Sequence, residues 1–204
     1  MNHLSHSQNR RVAPFSIFLI VFGVIGWYAS FSLLTEYVHT LQDPHYVPNC
    51  DISPLVTCGP NMGSWQGSVF GFSNTIIGVA AFVAPIIVGA ALLAGARFSS
   101  WFWWLFNLGN LGGIVFVFWL SWQSVFRLGT LCPWCMVVWT VTIPLFWVCL
   151  GVTTSRGWAK LPGGKKTGVF ISQWAWVFIV FSFFAIALMA QLGVDWLTHL
   201  RLSL

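Results

Sequence analysis

Cys132-Pro133-Trp134-Cys135 is a Cys-x-x-Cys pair at the mouth of an apolar stretch, and the same chain carries Cys50 and Cys58. If the stretch is a helix, residues three apart share a face, so the two thiols are close enough to bridge. The unpaired N–H groups of a first helical turn stabilise a thiolate, which makes such a pair reactive as well. Pro133 is at home there, because its missing N–H would have no partner in that turn anyway. This arrangement suits dithiol–disulfide exchange, in which a thiolate attacks a neighbouring disulfide, and two pairs can form a relay. In so apolar a chain, the relay would move electrons between proteins and something dissolved in lipid.

Other readings of the cysteines differ in strength. Taken alone, Cys50 and Cys58 serve equally well as a staple for a small loop. Cys132 and Cys135 make a poor staple, because so short a loop removes little unfolded-chain entropy. By count the four could form a zinc set, but one pair sits at the lipid boundary with no histidine nearby in sequence, so no metal is expected. Cys149 follows Cys132 by seventeen residues, about 25 Å along a helix at ~1.5 Å per residue, and reads as a buried structural thiol.

The elements that hold these cysteines must lie in a bilayer. The chain is 57% hydrophobic and only 6% charged, with a mean hydropathy of +0.80, far too little charge for a soluble domain of this size. Five apolar stretches, 15–34, 69–94, 101–125, 131–152 and 169–190, are long enough to cross a hydrocarbon core. The first has a basic lead-in like a signal peptide, but it is too long for a typical signal core and reads as a retained helix. Tryptophans near several span ends fit interfacial belts.

Charge sets the orientation. Arg10, Arg11, Arg97, Arg156, Lys160, Lys165 and Lys166 precede the first span or fall in the second–third and fourth–fifth connections, while Arg127, Arg201 and all four acids (Glu36, Asp43, Asp51, Asp195) fall on the other side. By the positive-inside rule the N-terminus is cytoplasmic, and the cysteine loop and C-terminus are extracytoplasmic, in a multi-pass protein of the cell membrane. The basic balance is thus a topology signal, and nucleic acid is not expected as a partner. All four candidate cysteines then face an oxidising compartment.

The expected organisation is a cytoplasmic tail at 1–14, a transmembrane domain at 15–190 with a turn-rich outer loop at 35–67, and an extracytoplasmic tail at 191–204. The short second–third and third–fourth connections predict that the second, third and fourth spans pack as antiparallel neighbours. Gly109, Gly112 and Gly113 in the third span would let a neighbouring backbone approach closely. Pro85 and Pro144 can kink their helices, and the Gly/Lys-rich fourth–fifth connection (153–168) reads as flexible.

Cys50-Asp51, then Cys58, Ser64-Trp65 and Phe70-Gly71 leading into the second span, with Cys132-x-x-Cys135 opening the fourth, closely resembles the vitamin K epoxide reductase family. The run Asn49-Cys50-Asp51-Ile52-Ser53-Pro54 and the Cys58…Gly63-Ser64 pattern are similar to its bacterial members. The resemblance implies an all-α membrane protein in which a four-helix bundle surrounds a quinone under the cysteine-bearing cap loop. By position it implies that Cys135 reduces the quinone, Cys132 resolves Cys135 and exchanges with Cys58, and Cys50 pairs with Cys58. The implied cofactor is menaquinone or ubiquinone. The implied partner is a thioredoxin-fold thiol oxidase, expected to be a separate protein because the chain ends at Leu204, with membrane lipid around the spans.

Two positions depart from the vertebrate enzymes, which carry a vitamin K-contacting tyrosine at Trp139 and an asparagine at Gly67. Asn74 lies two turns deeper on roughly the same face and could bond a quinone oxygen. These departures favour quinone reduction over epoxide reduction. Ser64 matches a family serine, and Phe72, Trp134 and Trp139 are candidate walls of the quinone pocket. The reading is a thiol:quinone oxidoreductase that makes disulfides for export. Its main rival is a transporter or assembly factor with structural disulfides, against which no span holds an ionisable residue.

Overall fold

The computed structural model describes residues 2–160 and 164–194. It contains helices α1 (Asn2–Gln42), α2 (Gly59–Gly63), α3 (Asn74–Leu93), α4 (Ser100–Gln123), α5 (Pro133–Ser155) and α6 (Gly164–Val194). No β-strand occurs among the described residues, and the single bridge joins Val56 to Leu131. Five of the helices are long and apolar enough to span a membrane, so the protein is an all-α, multi-pass membrane protein.

The apolar stretches predict the spans well but miss several ends. From Val12 to Gln42 α1 extends about 46 Å at ~1.5 Å per residue, longer than a ~30 Å hydrocarbon core. Its last turns therefore project as a post on which the outer loop is built. Residues 2–14, expected as a loose tail, continue this helix. The second span begins later than expected, at Asn74, because Ser73 caps it, its Oγ accepting from the Thr75 N–H. The fourth–fifth connection is shorter than expected, with α5 ending at Ser155 and α6 beginning at Gly164. Of the expected tail at 191–204, α6 takes up 191–194, and 195–204 lie outside the described residues.

Packing is uneven. The α1 helix lies along α3 and also touches α5, while α5 packs against both α4 and α6. Close approach occurs at Gly26, where an added Cβ would fall 2.3 Å from the Phe82 ring, and at Gly168, where it would meet the Ser155 backbone nitrogen at 2.3 Å. The expectation for Gly109, Gly112 and Gly113 is not met. An added Cβ at the first two meets nothing within 4 Å, and at Gly113 only Thr142 at 3.4 Å.

Nor do the second and third spans pack as neighbours. Although joined by a short link, α3 and α4 barely touch. At the link end α4 carries an aromatic cluster centred on Trp103. Trp103 is almost fully buried, stacked on Trp158 at 5.0 Å and edge-on to Phe98 at 5.6 Å. Residues along both helices, from Asn74 to Ala91 and from Phe102 to Gln123, line the cavity described below.

Candidate active site

The outer loop returns to α1 through one carboxylate. Glu36, on the projecting end of that helix, accepts from the Tyr46 hydroxyl (2.9 Å), the Asn49 backbone N–H (3.2 Å) and the Asn49 Nδ2 (3.1 Å). Asn49 precedes Cys50, so this network places the first cysteine. Asp51 places the second, its Oδ1 accepting from the Thr57 hydroxyl (2.5 Å), the Cys58 N–H (2.8 Å) and the Gly59 N–H (3.4 Å). Cys50 and Cys58 are joined in a disulfide.

The loop is then pinned to the start of α5. The Thr57 N–H donates to the Leu131 carbonyl (3.1 Å), and the Leu131 N–H donates to the Leu55 carbonyl (2.8 Å). Asn61 adds a polar bolt, donating from Nδ2 to Thr130 Oγ1 (3.0 Å) and accepting the Ser124 hydroxyl on Oδ1 (3.0 Å). Its partner Ser124 opens a π-helical turn, Ser124–Leu128, that ends α4 and closes at Gly129 with φ of 67°, a conformation that favours glycine.

These bonds bring the two pairs together. The Sγ of Cys132 lies 3.4 Å from the Sγ of Cys58, and both residues are fully buried. Cys132 is the N-cap of α5, with Pro133 in its first turn, and its sulfur accepts the Cys135 N–H at 3.4 Å. The Cys135 side chain, helped by the Cys135 and Trp134 backbone N–H groups, holds the Cys132 thiol below the usual thiol range, against burial and the nearby Asp51 charge. Cys132 and Cys135 are both free thiols. The site thus holds a thiolate-prone sulfur against a disulfide, the geometry that exchange requires.

Cys135 faces the other way, onto a cavity of about 710 Å³ between α3, α4 and α5 beneath the cap. Its walls are mainly aliphatic and aromatic, with a few polar groups converging at the cap end, the usual make-up of a small-molecule site. Gly109 and Gly113 belong to this wall, so the α4 glycines open space for a ligand rather than for a helix.

Of the residues expected to contact a quinone, Cys135, Trp139 and Asn74 line the cavity. Ser64 and Phe72 do not. The Ser64 hydroxyl donates to the Asn61 carbonyl at 3.2 Å, closing the turn after α2, and Phe72 is half-exposed beside Phe70. Trp134 is also off the wall, edge-on to Tyr28 at 5.9 Å. Asn74 is the first residue of α3 rather than one two turns into a helix. Its Nδ2 donates to the Gln66 carbonyl (2.6 Å) and its Oδ1 accepts the Val69 N–H (3.3 Å), so it clamps the 3₁₀ turn Trp65–Ser68 to the helix. Gly67 in that turn also lines the cavity, and an added Cβ there would lie 2.3 Å from the Asn61 carbonyl oxygen. Cys149 is fully buried in the apolar core with Trp103 and Leu145, far from the other four.

Residues 17–150 match the profile of the Vitamin K epoxide reductase family. The chain belongs to that family. No curated protein matches it closely. Membership makes it a membrane oxidoreductase of thiols and disulfides linked to quinones, and it sets aside the transporter or assembly-factor reading. Sequence reasoning missed Glu36, Asp51 and Asn61 as the residues that aim the cysteines. It also missed Gln66 and Gln123 on the cavity wall, although an amide such as Gln123 within an apolar span was a visible signal.

Proposed function

We propose that this protein oxidises a reduced thioredoxin-fold thiol protein and delivers the two electrons to a membrane quinone, menaquinone or ubiquinone. The donor thiolate attacks the Cys50–Cys58 disulfide, and a second donor thiol releases the oxidised donor, leaving Cys50 and Cys58 as thiols. The Cys58 thiolate attacks a Cys132–Cys135 disulfide, and Cys50 resolves the mixed disulfide, which restores Cys50–Cys58. Cys132 and Cys135, now thiols, return to the disulfide as two electrons and two protons pass to the quinone, giving a quinol. The driving force is the potential gap between thiol pair and quinone, at ~1.4 kcal/mol per 30 mV for two electrons.

The observation that carries this reading is Cys132 lying 3.4 Å from Cys58, with its neighbour Cys135 on the cavity wall. The protein acts chiefly by position: it brings the pairs together and holds the quinone against Cys135 where water is excluded. The seven basic residues around the connections opposite the cap support a cap on the extracytoplasmic side of the cell membrane.

Purified protein supplied with quinone tests the path. Cys132→Ala or Cys135→Ala should abolish quinone reduction with every thiol donor. Cys50→Ala or Cys58→Ala should abolish it with a protein donor while a small permeant dithiol still drives turnover. Full activity of the Cys50→Ala/Cys58→Ala protein with the protein donor would overturn the relay.

A further inference from the structure

Most polar side chains at the cap end of the cavity are already committed to the protein. Asn61 is bonded to Thr57, Thr130 and Ser124, and Asn74 to Gln66 and Val69. Ser73 and Thr75 bond each other. Two amides differ. Gln66 Oε1 and Gln123 Oε1 are buried with no hydrogen-bond partner among the described residues, although both side chains line the cavity with Cys135. Asn107 Oδ1, the third such atom, lies off the cavity.

Leaving a buried acceptor unpaired is costly, and folded proteins rarely carry one without a reason. The two residues, from different elements, line one apolar chamber. Gln66 sits in the 3₁₀ turn under the cap and Gln123 ends α4 beside Ser124, which the Asn61 bond ties to the same cap. Both therefore stand at the end of the cavity where α5 begins and Cys135 projects.

We propose that Gln66 and Gln123 grip the polar edge of the quinone, and so position and select the electron acceptor. This rests on quinone reduction at Cys135. The chemistry favours an amide over a charged or singly functional group. A quinone offers only acceptor oxygens, whereas the quinol formed when Cys132 and Cys135 surrender two electrons and two protons offers two hydroxyl donors. An amide donates from NH₂ to the first and, turned over, accepts on its oxygen from the second. Neutral amides also hold no charge that would have to be buried in an apolar pocket.

The test uses the full chain in lipid nanodiscs with menadione as probe, and 2-methylnaphthalene, the same ring without oxygens, as competitor. Gln66→Met and Gln123→Met keep side-chain length and remove the amide. Each should weaken menadione binding, read by tryptophan quenching, about fivefold. The KM for menadione should rise by a similar factor. The affinity of 2-methylnaphthalene, read by displacement, should stay the same or increase. Without quinone, each variant should melt at the wild-type temperature or higher, because an unpaired buried acceptor has been removed.

Wild-type menadione affinity in both variants would overturn the inference. So would weakened binding together with a lowered melting temperature, which would mark the amides as structural. Failure of the wild-type protein to reduce menadione, with binding preference for the oxygenated ring intact, would instead count against quinone reduction and leave the grip standing.

Discussion

The cap and the cavity are the two halves of the proposed redox path, and they are built by opposite means. The cap is positioned by directed hydrogen bonds: three to Glu36, three to Asp51, two backbone bonds across Val56 and Leu131, and the Asn61 bolt. The cavity is made by packing that is withheld. There α3 and α4 barely touch, and Gly109 faces open space instead of a neighbour. Sulfur-to-sulfur exchange tolerates little error in distance and angle, so its partners need directional bonds. A lipid-soluble ring needs room and a dry apolar wall. The boundary between the two regimes runs through one helical turn, with Cys132 facing the cap and Cys135 facing the cavity.

The sharpest way to break this division is to remove an acceptor from the cap. Asp51→Ala strips the partner from the Cys58 and Gly59 N–H groups. Charge-assisted bonds of this kind are worth about 1.5–3 kcal/mol, so trapping of the Cys58–Cys132 mixed disulfide should slow by roughly a hundredfold. Menadione binding should be unchanged, and Asp51→Asn, which keeps an acceptor, should recover most of the rate. An equal loss of quinone binding in Asp51→Ala would show that the two halves are not separable.

The complementary change fills the cavity. A Cβ added at Gly109 meets no heavy atom within 4 Å, and replacing a mid-helix glycine stabilises a helix by about 0.5–1 kcal/mol. Gly109→Leu should therefore leave the protein as stable as the wild type or more so, and raise the KM for quinone about tenfold. Mixed-disulfide trapping at the cap should not change. A melting temperature several degrees lower would mean that α4 packs more tightly in the membrane than the structure shows.

The smallest effect sharpens the account of the cap anchor. The Glu36 carboxylate accepts the Tyr46 hydroxyl and, with some desolvation and its negative charge, raises the Tyr46 pKa above the ordinary 10.0. A raised folded-state pKa means that this contact stabilises the fold below pH ~10 and is lost as pH rises through the higher folded value. Absorbance titration near 295 nm should show one late-ionising tyrosine in the wild type. It should move to lower pH in Glu36→Gln, which removes the charge. No movement would separate Tyr46 from the anchor.

Much of this was legible in the chain itself. Apolar runs of about twenty residues have one stable fate in a bilayer, so the five spans follow from composition and length. The Cys132-x-x-Cys135 pair is legible from its spacing and from Pro133, because first-turn geometry is local, whereas Cys50 and Cys58 by spacing alone read equally well as a staple. Other features depend on residues far apart in sequence. Nothing in the local pattern around Gly109 distinguishes a glycine that admits a helix from one that admits a ligand. That depends on whether another helix stands close by, which only the packing of the helices decides. Asn74 read as a residue deep in a helix because the apolar run begins at Val69, whereas Ser73 delays the helix and leaves Asn74 as a clamp. Glu36 was visible only as an acid on the cap side, and Asp51 as that and as part of the Cys50-Asp51 motif. Which N–H groups they accept is set when the loop folds back on the projecting end of α1. Composition, periodicity and cysteine spacing determined that this protein spans a membrane and which cysteines are candidates for exchange. The tertiary structure decided which sulfur meets which, and where a gap stays open, because both depend on contacts between elements whose separation along the chain carries no trace of their distance in space.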